Sequence, residues 1–468
     1  MELMEKIVSF CKRRGFIFPS SEIYGGFGSG YDFGPLGVEM KNNIKRLWWD
    51  EMTKFHENIV GLDAAILMSP KVWEASGHLS AGFADELLEC KECHKRFRLD
   101  EIVNPKSKRS PQGRQGGGRV GVQNPNCPDC GGELTQPRKF NLMMKTFVGP
   151  VEDEASITYL RAETCQGIYM NYENVLSSMR LKIPFGICQI GKAFRNEITP
   201  KDFIYRTREF EQMEMQWFCH KKETEKWFDF WKKERMKWYL NLGIKKENIR
   251  FREHKKEELA HYAQKAVDIE YKFPFASPAG RQGWKEGEGI HDRGDWDLSN
   301  HSKFSGKDLK YFNDETKEKY FLHIIETSAG VDRSLLAFLI DAYEEVKGAR
   351  TKTTEAVKET EIVLHLDKKL APIKVAVLPL VKNKEELVKK SKEIYNLLKF
   401  HFVCQYDEVG SIGRRYRRQD EIGTPFCVTV DFDTLKQDDV TVRDRDTMKQ
   451  ERIKTEGLFQ FFRENLTK

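Results

Sequence analysis

No apolar run in the chain approaches the roughly 20 residues that a membrane-spanning helix needs. Charge is abundant but hardly favours one sign: 78 lysines and arginines stand against 72 aspartates and glutamates, a formal excess of +6. That balance permits a polyanionic partner without requiring one. The first residues, MELMEKIVSFCKRRGF, interrupt their apolar positions with acids and bases, which excludes a signal peptide's apolar middle. No internal repeat is visible. A disulfide framework is also missing. Of ten cysteines, four form two Cys-x-x-Cys pairs, while Cys11, Cys165, Cys188, Cys219, Cys404 and Cys427 are scattered singly. This layout predicts reduced thiols in a cytoplasmic protein and one metal site.

What is present reads as folded domains. Apolar residues make up 39% of the chain and aromatics 12%, ample for buried cores, and 468 residues predict two or three domains. Residues 1–85 read as a helix, a glycine-rich turn region from Gly25 to Gly37, and a helix through Lys41–Lys54 carrying Trp48 and Trp49. Residues 86–140 read as an insertion whose centre, Asn104 to Asn126, is rich in Pro, Gly, Ser and Arg. Ile187–Ile190 and Glu214–Phe218 read as strands joined by a polar loop. A helical insertion is expected at about 220–275. Its helix, residues 221–243, puts Trp227, Trp231 and Trp238 on one face, either a platform for nucleobases or a stripe packed on the body. The charged stretch Thr351–Glu361 reads as a linker, placed at 351–360. Beyond it, Ile373–Leu380 (strand), Glu385–Leu398 (helix), Phe400–Tyr406 (strand) and Phe426–Val430 (strand) predict a small α/β domain over 361–468.

Four segments carry candidate chemistry. The first is Phe194-Arg195-Asn196-Glu197, then a polar loop, then Arg206-Thr207-Arg208-Glu209-Phe210-Glu211-Gln212-Met213-Glu214. As a hairpin it would group guanidinium forks suited to phosphate with carboxylates suited to an amino group, a ribose hydroxyl or a metal. An exposed salt-bridge ladder would read the same way. The second runs from Glu326 through Ser328, Gly330, Asp332 and Arg333 into an apolar helix. Arg333 sits where a helix dipole disfavours a cation, unless an anion lies nearby or Asp332 or Glu326 pairs with it. The third, Gly34-Pro35-Leu36-Gly37, is by itself only a turn. The fourth, Cys90-x-x-Cys93 with Cys127-x-x-Cys130, has the two-knuckle layout of a structural Zn2+ site, against the alternative of four free thiols. Gly186 to Ala193 nearly spells a phosphate loop, but it ends in alanine and has an apolar middle, so it reads as a strand.

In this order, the first three segments resemble the signature motifs of class II aminoacyl-tRNA synthetases. YDFGPLG, RAETCQG, FRNE with REFEQMEM, and ETSAGVDRS resemble the homodimeric type of glycyl-tRNA synthetase over nearly the whole chain. The resemblance implies an α+β catalytic domain over 1–350, built on a six-stranded antiparallel sheet flanked by helices, and a C-terminal α/β anticodon-binding domain. It implies Arg195 on the α-phosphate of ATP, Arg333 on the γ-phosphate and Phe210 stacked on adenine. Glu197, Asn196, Tyr205, Arg206, Arg208, Glu286, Gly330 and Asp332 would complete the nucleotide site. Arginines and Mg2+ would stabilise the charge that develops as the amino acid carboxylate attacks, so no general base is needed. A ribose hydroxyl of tRNA(Gly) would then take the glycyl group.

Glu163, Glu214, Glu326 and Ser328 match the family's glycine pocket, joined by Phe210, Gln212 and Gly330, with Arg98 and Arg293 at places of substrate-contacting arginines. Crowded carboxylates can hold an ammonium while excluding any side chain, so hydrolytic editing is not needed. Gly287 departs from the family, which commonly carries a bulky apolar residue after the glutamate that matches Glu286. A homodimer is implied through Asp32–Trp49. The basic run Gly410–Arg418 and Arg443 are expected near the anticodon stem. A degenerate tRNA- or protein-binding relative would be expected to lose a phosphate arginine or the acidic pocket, and both are present here. Serine specificity fits the class motifs but not the crowded acids.

Overall fold

Strands β1 (Ile59–Gly61), β5 (Phe185–Phe194), β6 (Glu209–Cys219), β7 (Ile249–Glu253), β8 (Lys265–Phe273), β9 (Gly283–Gly294) and β10 (His323–Gly330) form the main sheet. Their order is β7-β8-β9-β10-β6-β5-β1 in this computed structural model, which describes residues 2–80, 83–99, 102, 126–198, 202–260, 262–275, 283–348 and 360–467. Six of these strands are antiparallel, as expected, and β1 adds a seventh that runs parallel to β5. The low-complexity centre of the insertion (104–125) and most of the linker (351–359) lie outside the described residues.

Period-two alternation explains the two faces. In β6, Met213, Met215 and Trp217 point into an apolar core, while Phe210, Gln212, Glu214 and Gln216 share the other face. Helix α3 (Thr224–Asn241) covers the apolar face together with α4 (Val331–Ala342). Trp231 and Trp238 are buried, and Trp217 lies 4.8 Å from Trp227 and 5.3 Å from Trp231 between ring centroids. These rings are packing, not a platform for bases. Arg235 of α3 also docks on the sheet, its Nε donating to Glu288 Oε1 at 2.6 Å with both side chains fully buried.

The Gly-Pro-Leu-Gly segment is more than a turn. It opens α1 (Pro35–Asp50), where a Cβ on Gly37 would fall 1.8 Å from the Phe16 carbonyl oxygen. Only a glycine lets the helix start lie on that backbone. Lys41 of α1 bridges Asp332 at 2.7 Å and Glu211 at 3.2 Å, tying α1 to α4 and β6.

The insertion folds as a three-stranded sheet, order β3-β2-β4, from β2 (Ala84–Glu89), β3 (Arg96–Arg98) and β4 (Arg138–Asn141). In the C-terminal domain, β11 (Val375–Pro379), β12 (Cys404–Tyr406), β13 (Phe426–Val430), β14 (Asp439–Asp444) and β15 (Gln450–Lys454) take the order β12-β11-β13-β14-β15. Helix α5 spans Glu385–Leu398 as expected, whereas the strand expected at Phe400–Tyr406 starts only at Cys404. The linker also ends earlier than its charge suggested, because Thr360–Leu364 pairs antiparallel with Tyr343–Lys347.

The basic run is largely turned inward. It forms α6 (Ile412–Ile422), in which Arg415 is buried and donates to the carbonyls of Leu380, Asp407 and Pro379. Arg418 pairs with Asp407, and Arg443 is buried with its fork on Asp420 at 2.8 and 2.9 Å. Arg414 is the exposed arginine of that helix. Arg415 and Arg443 therefore hold the domain together and are not free to meet RNA.

Candidate active site

The register of β6 against β10 sets Glu214 opposite Ser328, Gln216 opposite Glu326 and Gln212 opposite Gly330. Strand β9 adds His291 opposite Glu326. Arg293 is the extra residue of a bulge between Asp292 and Gly294, a device that re-aims a side chain. Its guanidinium grips Asp297 at 2.7 and 2.8 Å and Glu326 at 3.0 Å, and stacks 3.8 Å over the Tyr262 ring. Glu163 arrives from the other side, just before a short helix at Cys165–Met170. The three glutamates are all buried: Glu163 is 8%, Glu214 2% and Glu326 4% exposed.

Each glutamate has different company. Glu163 accepts from the Cys165 thiol at 3.0 Å and Gln166 Nε2 at 2.9 Å, and faces His78 Nε2 at 3.4 Å. Burial would raise its pKa, but His78 and Arg293 outweigh that and hold it well below the usual carboxylate range. Glu326 is lowered for the same kind of reason: burial is overcome by Arg293 and by His291, whose Nδ1 lies 2.9 Å away. Glu214 accepts from Thr164 Oγ1 at 2.5 Å, Ser328 Oγ at 2.7 Å and Gln212 Nε2 at 3.0 Å. Burial, then Glu326 and Glu163, push it up to about 7. The Gln212 side-chain oxygen is buried beside it without a hydrogen-bond partner among the described residues.

His78, Arg161, Thr164 and His291 were not among the residues expected in the site. His291 could have been found, since it lies two residues before Arg293 and on the same strand face. His78 carried no local signal. It reaches Glu163 from a loop after Ser76, whose hydroxyl lies 2.8 Å from its Nδ1. Arg161 is buried, donates to Lys192 O at 2.6 Å and Ala64 O at 2.7 Å, and occupies the space that a side chain at Gly191 would need.

The residues expected to hold the nucleotide lie along the end of the β5–β6 hairpin. Arg195 donates to Ala162 O at 3.1 Å, and its guanidinium lies 5.4 Å from the Phe210 ring and 5.8 Å from the Phe83 ring. No carboxylate pairs with it among the described residues. Asn196 N–H donates to Leu142 O at 2.8 Å, tying the hairpin to the base of the insertion. Glu197 is 5% exposed, stands 3.8 Å from Arg206, and leaves Oε2 without a hydrogen-bond partner among the described residues. Arg208 donates to Glu197 O and to Gly28 O. Tyr205 donates to Glu286 O, and its ring lies 4.5 Å below the Arg333 guanidinium. Arg333 also donates to Tyr205 O at 3.2 Å and stands 3.4 Å from Glu286.

Two expected members are directed elsewhere. Asp332, placed in the nucleotide site by resemblance, is buried against Lys41 and the Glu211 N–H, on the α1 side. Burial raises its pKa while Lys41 opposes the shift. Arg98 is buried in β3 and pairs with Asp85 at 3.0 Å. No contact joins it to the three glutamates among the described residues, although Asp85 follows closely on Phe83, whose ring lies 4.5 Å from that of His78. Gly287 is the extra residue of a second bulge in β9, its Cβ position 3.4 Å from Ile269 O. The departure from the family thus coincides with a backbone irregularity.

The four thiols of Cys90, Cys93, Cys127 and Cys130 gather within 4.8 Å of one another. Cys90 Sγ is 3.5 Å from Cys130 Sγ, and Cys93 Sγ is 3.7 Å from Cys127 Sγ. A tetrahedron with Zn–S bonds of about 2.3 Å has edges of roughly 3.8 Å, so the set fits zinc.

Comparison with known proteins agrees with this geometry. The tRNA synthetase class II core domain (G, H, P, S and T) matches residues 150–343, and the anticodon binding domain matches 374–465. A glycine–tRNA ligase of Thermobifida fusca (strain YX) is 51% identical over 470 residues, spanning 99% of this chain and 98% of that protein. One from Treponema denticola is 53% identical over 451 residues (96% and 94%), and one from Caldanaerobacter subterraneus subsp. tengcongensis is 51% identical over 472 residues (99% and 98%). With likeness over both domains and almost every residue, the chain belongs to the glycine–tRNA ligase family of class II aminoacyl-tRNA synthetases.

Proposed function

We propose that the protein joins glycine to tRNA(Gly) through a glycyl-adenylate, releasing pyrophosphate and then AMP. The observation that carries this reading is the convergence of three buried glutamates beside an arginine-lined hairpin. The glutamates and the Gln212 oxygen, which has no hydrogen-bond partner among the described residues, would take the substrate ammonium. Arg293 holds Glu326 in place from behind, a positioning role in place of the substrate contact expected for it.

On the nucleotide side, Arg195 would meet the α-phosphate, where charge builds as the glycine carboxylate attacks, and Arg333 the departing pyrophosphate. The buried Glu197 Oε2, with no hydrogen bond among the described residues, suits a nucleobase amino group. Phe210, already against the Arg195 guanidinium, offers a face for adenine. Magnesium would enter with ATP, and Glu286, whose side chain is 37% exposed beside Arg333, offers it an oxygen ligand. Zinc on the four thiolates would leave no open position, so its part would be to hold the insertion together. Two copies would associate through the Asp32–Trp49 segment, whose outward residues include Pro35, Val38, Asn42 and Arg46. The reduced thiols suit a cytoplasmic enzyme.

The test is aminoacylation of bulk tRNA with labelled glycine by the purified chain and by Arg195→Ala. Charging by the parent and a loss of about 10²–10³ in kcat for the variant are expected. No charging by the parent would overturn the function.

A further inference from the structure

We infer that glycine binding expels a proton from Glu214: its carboxyl is neutral in the empty pocket and becomes the carboxylate that faces the substrate ammonium. This rests on the reading of the site as a glycine pocket. The basis is the unequal distribution of counter-charge.

Glu326 has its own cations, Arg293 at 3.0 Å and His291 at 2.9 Å. Glu163 faces the His78 imidazole at 3.4 Å and is held down by it and by Arg293. Among the described residues no cation hydrogen-bonds Glu214, whose three donors, Thr164, Ser328 and Gln212, are uncharged.

The other titratable groups around it do not change this. Glu326 from β10 and Glu163 from the facing segment repel a charge on Glu214. The Arg161 guanidinium attracts a charge on Glu214 but does not hydrogen-bond it, its donors lying on two backbone carbonyls. Arg293 is committed to Asp297 and Glu326, and the Cys165 thiol to Glu163. Tyr169 and Tyr262 remain neutral, burial pushing both phenols up. A third adjacent buried anion without a hydrogen-bonded cation would be expensive.

Hydroxyls suit both states. They donate to the carboxylate, and Thr164 Oγ1, 2.5 Å from Glu214 Oε2, can accept from the carboxyl O–H instead. When the ammonium arrives it supplies the missing cation, and the Glu214 proton leaves to solvent. One carboxyl O–H bond breaks, and the ammonium keeps all three of its N–H bonds. The free-site value of about 7 agrees with this arrangement. The sign follows. Ligand favours the ionised form, so the pKa falls on binding, and glycine affinity weakens as pH drops through 7 and levels off above 8.

The experiment measures the glycine KM in ATP–pyrophosphate exchange between pH 6 and 8.5, with calorimetry of glycine binding in two buffers of different ionisation enthalpy. KM should rise about tenfold from pH 8 to pH 6, and roughly 0.8 proton should be released at pH 6.5 against almost none at pH 8.5. Thr164→Val, which removes a donor to the ionised form, should move the KM midpoint to higher pH. A flat KM with no proton released in a glycine-active enzyme would overturn the inference alone. Absence of glycine-dependent exchange at every pH would overturn the functional reading instead. A folded Glu214→Gln variant that kept the parental pH slope would assign the proton to another group and refute the proposal.

Discussion

Ser328→Ala is the substitution that isolates the hold on Glu214. The hydroxyl donates to Glu214 Oε1 at 2.7 Å from the directly opposed position of the neighbouring strand, so alanine removes one oxygen and leaves the strand pairing intact. A hydrogen bond to a charged group contributes about 1.5–3 kcal/mol. Gln212 Nε2 still reaches the same oxygen at 3.0 Å, which places the loss at the lower end. About 1.5 kcal/mol corresponds to a roughly tenfold fall in kcat/KM for glycine. The vacated space should also ease the exclusion of a methyl group, so the ratio of glycine to alanine activity should narrow. The assay is pyrophosphate exchange with each amino acid in turn, beside a thermal melt to show that the variant is folded. A folded Ser328→Ala enzyme within twofold of the parent for glycine, with unchanged discrimination, would refute the role given to this hydroxyl.

On the opposite face of the sheet, Arg235→Met should cost about 3–5 kcal/mol in urea unfolding, because it strands a fully buried Glu288; Arg235→Met with Glu288→Leu should recover most of that loss. Gly191→Ala puts a Cβ 2.2 Å from Arg161 Nη2, whose neighbouring nitrogens are fixed on carbonyls, and should cost about 1–3 kcal/mol in the same assay. Metal analysis should find one zinc per chain in the parent and none in Cys90→Ser, with loss of amide protection confined mainly to the insertion strands. Zinc-free parent protein with those amides still protected would contradict the metal reading.

The legible parts of the site were those written in local order. The arginines and carboxylates of Arg195–Glu197 and Arg206–Glu214 announced a polar hairpin, and the segment around Arg333 an apolar helix, whereas the residues from Glu326 to Gly330, read as a small-residue turn into that helix, form the end of strand β10. The partners of those residues were much less legible, because they come from distant chain segments. His78 meets Glu163 only once the loop after Ser76 folds over the sheet, and nothing beside His78 in the sequence marks it. Asp332 and Arg333 are adjacent, yet the helical turn sends one back to Lys41 and the other out over Tyr205. Arg443 and Arg415 looked like RNA-binding surface because a charge-rich segment reads alike whether its arginines face solvent or bury against carbonyls and Asp420. Strand β1, three residues long, gave no periodicity to detect.

The central claim is a pocket whose buried acids leave room for an ammonium and no side chain. Its most direct test compares pyrophosphate exchange supported by glycine, alanine and serine at saturating ATP. Such a pocket predicts exchange with glycine and none above background with the other two, whereas alanine-supported exchange within tenfold of glycine would contradict it.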